Sequence, residues 1–218
     1  MNIKWYGHAA FRIVTAGGTR IIIDPYQTGF SGGALSYGTI TDEADIVITS
    51  HDHGDHNYVK GIQGDYVHIK TANDFTIRNV KMRLIPSFHD TSKGKERGNN
   101  LISVIKADEL TVAHLGDLGH ELPQNAIKEM GPVDILLLPV GGFYTIDAGV
   151  ATKVMNAVNP KLTIPMHYRT QKCSFPITTV EEFTKGKNNV RTIKGSEIEV
   201  SKKSLPKEPE IVVLQHAL

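Results

Sequence analysis

In His51-Asp52-His53-Gly54-Asp55-His56, four residues of metal-ligand type fall at the spacing His-x-His-x-Asp-His. The group directly follows an apolar run, Asp45–Thr49, that reads as a strand. Zinc and related ions take neutral imidazole nitrogen and carboxylate oxygen as ligands. Packing so many titratable groups into one turn costs desolvation and repulsion unless a cation holds them. The chemistry expected of His51, His53, Asp55 and His56 is therefore metal binding.

Further candidates obey the same placement, each just past an apolar run. His8 follows Ile3–Tyr6, His89 follows Val80–Phe88, Asp117 follows Leu110–Gly116, and His167 follows Leu162–Met166. Strand ends converge on one edge of a sheet, so ligands far apart in sequence can meet there. With a bridging carboxylate, the set suffices for two ions about 3.5–4 Å apart.

The elements that must position these groups follow from pattern. Ile3–Tyr6, Phe11–Thr15 and Arg20–Asp24 are short β-rich runs, with a hairpin expected at Gly17-Gly18. Gly29–Gly38 reads as a surface loop. Strands are then expected at Asp45–Thr49, Tyr66–Ile69, Val80–Ile85, Leu101–Lys106 and Leu110–Leu115. Helical patterning enters at Pro123–Met130, at Ala148–Val158 capped by Asp147, and at Thr179–Lys185. Val133–Val140 and Leu162–Met166 are continuous apolar runs of the buried-strand type, linked through a helix. Ile211–Leu214 is a last strand. Strands and hairpins followed by β-α-β units predict an α/β architecture: two mixed sheets packed together with helices outside. A single α+β sheet is the alternative. No repeat or linker divides residues 1–218, so one domain is expected.

Composition narrows function. The 218 residues are 40% hydrophobic and 22% charged, with a net charge of +1, which gives no electrostatic case for nucleic acid or an anionic membrane. The single cysteine, Cys173, forbids an intrachain disulfide and fits a reducing cytoplasm. No apolar run reaches transmembrane length and no signal peptide is visible.

His51-x-His53-x-Asp55-His56, His89, Gly116-Asp117 and Pro165-Met166-His167 occur in an order that resembles the metallo-β-lactamase superfamily. Trp5-Tyr6-Gly7-His8-Ala9, Ile23-Asp24-Pro25 and Pro139-Val140-Gly141-Gly142 look like its branch of ascorbate-phosphate lactonase-like and uncharacterised metal-dependent hydrolases. The resemblance implies an αββα sandwich with metals at one edge of the sheets. It assigns one ion to His51, His53 and His89, a second to Asp55, His56 and His167, and the bridge to Asp117. Zinc β-lactamases of the best-known class have a cysteine where Asp117 stands, so this chain looks like the Asp-bridged hydrolases. It also lacks the length for the RNA-gripping arm of ribonuclease Z.

Two divalent ions, zinc or manganese ahead of iron, bring a shared water to a pKa near 7, against about 15.7 in bulk. The resulting hydroxide is expected to attack a small ester, lactone or phosphodiester. Asp55 and Asp117 would orient it, and His120, three residues past Asp117, is the candidate leaving-group acid. Asp24 is expected to brace the ligand loop. His8 has two readings: a residue bracing ligands or substrate, and a structural histidine between strands. His114 lies an odd number of residues before Asp117, so in a regular strand it faces away from the metals. His68 and His216 read as packing residues, and Cys173 lacks partners for a nucleophile. Lys93–Arg97 with Asn99-Asn100, close after His89, reads as a flexible basic loop, with an anion holder as the alternative. The competing functions are a nuclease of the same superfamily and a di-iron redox protein. A small-molecule substrate and a homo-oligomer complete the expectations.

Overall fold

The computed structural model describes residues 1–218. The chain opens with strands β1 (Asn2–Gly7), β2 (Ala10–Val14) and β3 (Arg20–Ile23), a short helical turn α1 (Phe30–Gly33), and strands β4 (Ile46–Ile48) and β5 (Val67–Ile69). A meander of β6 (Asp74–Ile77), β7 (Val80–Phe88), β8 (Asn99–Ala107) and β9 (Leu110–His114) follows. Then α2 (Gln124–Met130), β10 (Ile135–Pro139), α3 (Ala148–Val158), β11 (Leu162–Met166) and α4 (Val180–Thr184) lead to β12 (Val190–Thr192), β13 (Glu197–Glu199) and β14 (Glu210–Val213).

These strands form two mixed sheets, of order β13-β1-β2-β3-β4-β5 and β12-β14-β11-β10-β9-β8-β7-β6. The predicted two-sheet α/β architecture holds, and the single-sheet alternative does not. The Gly17-Gly18 hairpin joins β2 and β3 antiparallel, with Gly18 at φ 82°. β10 and β11 pair in parallel through the crossover helix α3, from Ile135↔Leu162 to Pro139↔Met166. That helix has the predicted bounds. The Asp147 carboxylate accepts from Val150 N–H at 2.8 Å to cap its start, and Asn159 ends it in the left-handed conformation at φ 53°.

Alternation distributes the apolar side chains. On the first sheet Ile21, Ile23, Ile46 and Ile48 enter a core of 44 buried residues shared with the second sheet. Ile22 and Val47 face the other way, into a 13-residue cluster with Tyr26, Leu35, Tyr37 and Ile40. Helices α2 and α3 cover the second sheet, packing on β7 and β10. The outer face of the first sheet is covered mostly by irregular chain. The segment expected to be a surface loop, Gly29–Gly38, is part of that cover: Leu35 and Tyr37 are fully buried.

Three strands escape the sequence pattern: β6, β12 and β13. All three are sheet edges. They are three or four residues long with polar, exposed positions (Arg191 and Thr192, Glu197 and Glu199), so no apolar run marks them. No helix is long and apolar enough to cross a membrane.

Candidate metal centre

Each candidate ligand leaves the carboxyl end of a strand at the same edge of the sandwich. His8 follows β1, Asp24 follows β3, the His51–His56 loop follows β4, His89 follows β7, Asp117 follows β9 and His167 follows β11. Three of these residues sit in the left-handed region: His8 at φ 52°, Asp24 at 47° and His167 at 51°. For non-glycine residues this costs about 1–3 kcal/mol each and persists only where the surroundings impose it. Gly116, at φ 55°, must be glycine for a second reason: a Cβ there would lie 2.3 Å from Asn100 Oδ1. That oxygen accepts from Asp117 N–H at 2.9 Å, and Asn100 Nδ2 donates to Leu115 O and Ser87 Oγ. Asn100 thus fixes the turn that delivers Asp117. Two backbone bonds join the sheets at this edge: His167 N–H to His8 O at 3.0 Å and Leu101 N–H to Ser50 O at 2.9 Å.

The side chains converge. Asp117 Oδ2 lies 3.0 Å from His89 Nε2, 3.2 Å from His56 Nε2, 3.3 Å from His167 Nε2 and 4.0 Å from His51 Nε2. His51 Nε2 is 3.0 Å from His53 Nδ1. Donor atoms lie within 4.8 Å of one another in three groups: His51, His53 and His89; His51, His56 and Asp117; and His8, His56 and His167. Asp55 Oδ2 is 3.9 Å from His56 Nε2 and 3.3 Å from His8 Nε2.

Asp24 controls which nitrogens face the centre. It is fully buried and accepts from Ser50 N–H and Ser50 Oγ–H, both at 2.7 Å, and from His56 Nδ1–H at 2.9 Å. Because Ser50 Oγ spends its proton on Asp24, it accepts from His51 Nδ1–H at 2.8 Å. One carboxylate therefore orients two imidazoles, directly and through a serine, and turns both Nε2 atoms inward. Asp24 thus ties the start of the His51–His56 loop to the end of β3. Ser50 and Asn100 carried no sequence signal, since a lone serine or asparagine beside a motif is common.

A cation fits this arrangement. His56 Nε2 and Asp117 Oδ1 are buried in the cluster without hydrogen-bond partners. His56 Nε2 beside Asp117 Oδ2 is attractive only with a positive charge between them, a proton or a metal ion. Burial lowers the basicity of His56, but the Asp117 and Asp55 carboxylates outweigh it and raise its pKa well above the usual imidazole range. Burial, reinforced by His56, pushes His51 down to about 3. Burial raises Asp117, yet His167 and His56 hold it well below the usual carboxylate range. Three nitrogens on one side and mixed N/O donors on the other match the donor chemistry of zinc-like ions.

The remaining candidates are placed as follows. His8 is fully buried and its Nε2 donates to Asp55 Oδ2, so it belongs to the cluster. His114 faces away, its Nε2 donating to Ala9 O at 2.9 Å. His120 is corrected: it lies outside the cluster with both nitrogens engaged, Nε2 accepting from Phe88 N–H at 3.2 Å and Nδ1–H donating to Glu121 O at 2.8 Å. The strand ends at His114, and the turn that follows brings His120 beside Phe88 at the end of β7. His68 bonds Thr49 Oγ1, and Cys173 is buried.

A cavity of about 480 Å³ opens over the cluster. Phe30, Arg97 and Tyr144 line it, one from each of the loops 29–38, 93–100 and 142–147, and Phe175 adds a fourth segment. The 90–98 loop is not free: Asp90 accepts backbone N–H bonds from Ser92, Gly94, Glu96 and Arg97 at 2.7–3.0 Å. Burial raises the Asp90 pKa, but those donors bring it down to about 2.

Residues 2–167 match the model of the Beta-lactamase superfamily domain. The chain belongs to that superfamily. Among superfamily relatives, a metal-dependent hydrolase of Archaeoglobus fulgidus is 28% identical over 92% of this chain and 94% of its own length. Another from Carboxydothermus hydrogenoformans is 33% identical, covering 78% of this chain and 85% of its own. The crystal structure of a metallo-β-lactamase superfamily protein from Thermotoga maritima superposes with a TM-score of 0.81 at 32% identity, over 98% of this chain and 97% of the other. The chain is accordingly a metal-dependent hydrolase of the metallo-β-lactamase superfamily.

Proposed function

We propose that this hydrolase holds two transition-metal ions, zinc or manganese, and cleaves a small ester, lactone or phosphodiester. His51, His53 and His89 would hold one ion, Asp55, His56 and His167 the other, and Asp117 both. The observation that carries this reading is the convergence of four imidazole Nε2 atoms on Asp117 Oδ2 within 4.0 Å. One carboxylate oxygen cannot satisfy four rings, whereas a pair of cations can.

When bound, the ions supply a water ionised near neutral pH and a positive field for the oxyanion that forms on the substrate. The protein supplies orientation. Asp117, fixed through Asn100, and Asp55, fixed through His8, offer carboxylate oxygens to hold the water's remaining proton and aim its lone pair. One water is consumed: its oxygen stays with the acyl or phosphoryl product, and a proton leaves with the alcohol. With His120 turned away, solvent at the cavity mouth is the donor for that proton. A reducing cytoplasm suits the unpaired thiol of Cys173.

A hydrolysis panel of lactones, carboxylic esters, phosphodiesters and phosphomonoesters, run with defined zinc and manganese, tests the reading. At least one of the first three classes is turned over by the wild type. Asp117→Ala loses at least about a hundredfold in kcat/KM while keeping its fold by circular dichroism. Unchanged turnover in that variant would refute the bridging role.

A further inference from the structure

The cavity over the cluster does not end at the ligand loop. A second cleft of about 470 Å³ lies on its far side, and the two share Asp52, His53 and Arg97. The ligands thus sit near the middle of a groove with two chemically different arms. One arm carries Phe30, Tyr144 and Phe175. Phe30 lies so close to the ligand loop that a Cβ on Gly54 would stand 2.6 Å from its ring, and the Tyr144 and Phe175 rings meet edge-on at 5.6 Å. The other arm carries Lys70, and Arg97 stands at the border that the two arms share.

These two cations are free of ion pairs, in a chain where most arginines near carboxylates are paired. The two acids that line the clefts beside Arg97 bond neutral donors rather than a cation: Asp52 Oδ1 accepts from Asn57 Nδ2 at 2.8 Å, and Glu96 Oε1 from Ser92 Oγ–H at 2.5 Å. The backbone of Arg97 is pinned by Asp90 at 2.8 Å, which pre-orders the loop without consuming the guanidinium. An unpaired guanidinium carried on a pre-ordered backbone and lining both clefts is suited to grip a carboxylate or phosphate through paired N–H donors.

We propose that the substrate joins a flat apolar group, seated between Phe30 and Tyr144, to an arm ending in an oxyanion, gripped by Arg97 with Lys70. The scissile ester bond lies between the two arms. This specifies the substrate class of the hydrolytic reading above and rests on it.

Three phenyl esters of matched length test the assignment on the metal-loaded enzyme: phenyl hexanoate, monophenyl adipate and phenyl 5-phosphonopentanoate. They share the apolar group and differ in a terminal methyl, carboxylate or phosphonate. The expected result is a kcat/KM at least about tenfold higher for an anionic ester than for the neutral one. That ratio falls toward one in an Arg97→Ala/Lys70→Ala double variant and is partly kept in Arg97→Lys. The better of the two anionic esters identifies the oxyanion. A wild-type ratio near one, or a ratio that survives the double variant, overturns the proposal while leaving the hydrolytic reading intact. If no ester is cleaved, the hydrolytic reading fails for this class, and the arm is tested by calorimetric binding of the same three compounds. Tighter binding of an anionic ester that is lost in the double variant then supports the groove assignment, and equal affinities overturn it.

Discussion

At the residue scale, the centre is organised by a carboxylate that need not touch a metal. Asp24 orients His56 directly and His51 through Ser50, so two histidines of the candidate centre depend on one buried side chain. Asp24→Ala leaves both imidazoles free to rotate and removes the acceptor for three donors. We expect a loss of about 10–100-fold in metal affinity, measured by competition with a chromophoric chelator. Equal affinity in the variant would show that the loop backbone alone sets the ring positions. The motif residues were legible in the sequence because histidine and aspartate at strand ends have few other uses. Ser50, Asn100 and Asp90 were not, since their roles lie in hydrogen bonds that only the folded chain assembles. His120 misled because sequence proximity to Asp117 says nothing about the turn beyond β9.

At the element scale, close approach of strand ends places the ligands. Gly119 N–H donates to Phe88 O at 2.9 Å, and a Cβ at Gly119 would stand 2.3 Å from the carbonyl carbon of His89. The obstacle is backbone, which cannot rotate aside. Gly119→Ala must therefore push the Asp117 turn away from the end of β7. A destabilisation of about 1–3 kcal/mol in urea unfolding is expected, with weakened metal binding because Asp117 is displaced from His89. Unchanged stability would mean that the two segments separate at no cost. The apolar strands β3, β4, β10 and β11 were legible because they are buried almost throughout, so their sequences are continuous apolar runs. The edges β6, β12 and β13 were not, because half of each faces water and pairing depends on a partner far along the chain.

At the scale of the whole molecule, the candidate ligand set straddles both sheets. The His51–His56 loop belongs to the first sheet, while His89, Asp117 and His167 belong to the second. Bound metal would tie the layers at one edge. The opposite end of the first sheet has its own clamp: buried Asp45, at the start of β4, accepts from Arg20 N–H at 2.8 Å and pairs with the Arg20 and Arg78 guanidinium groups at 3.0 and 2.6 Å. Hydrogen bonds from the Arg20 side chain hold the Asp45 carboxyl down at about 2, against an ordinary 3.8. A depressed folded-state pKa adds stability above the unfolded value that fades as pH falls through the folded one. Asp45→Asn should accordingly cost about 1 kcal/mol at neutral pH, with the gap from wild type closing between about pH 4 and pH 2. A gap that stays constant over that range would exclude the ionised carboxylate as its source.

The central claim is a two-ion centre, and elemental analysis of the protein purified from cells grown with adequate zinc and manganese measures it directly. The account predicts close to two transition-metal ions per chain in the wild type and a loss of at least one in Asp117→Ala. A wild-type protein that holds none, or that saturates at one while remaining fully active, would contradict it.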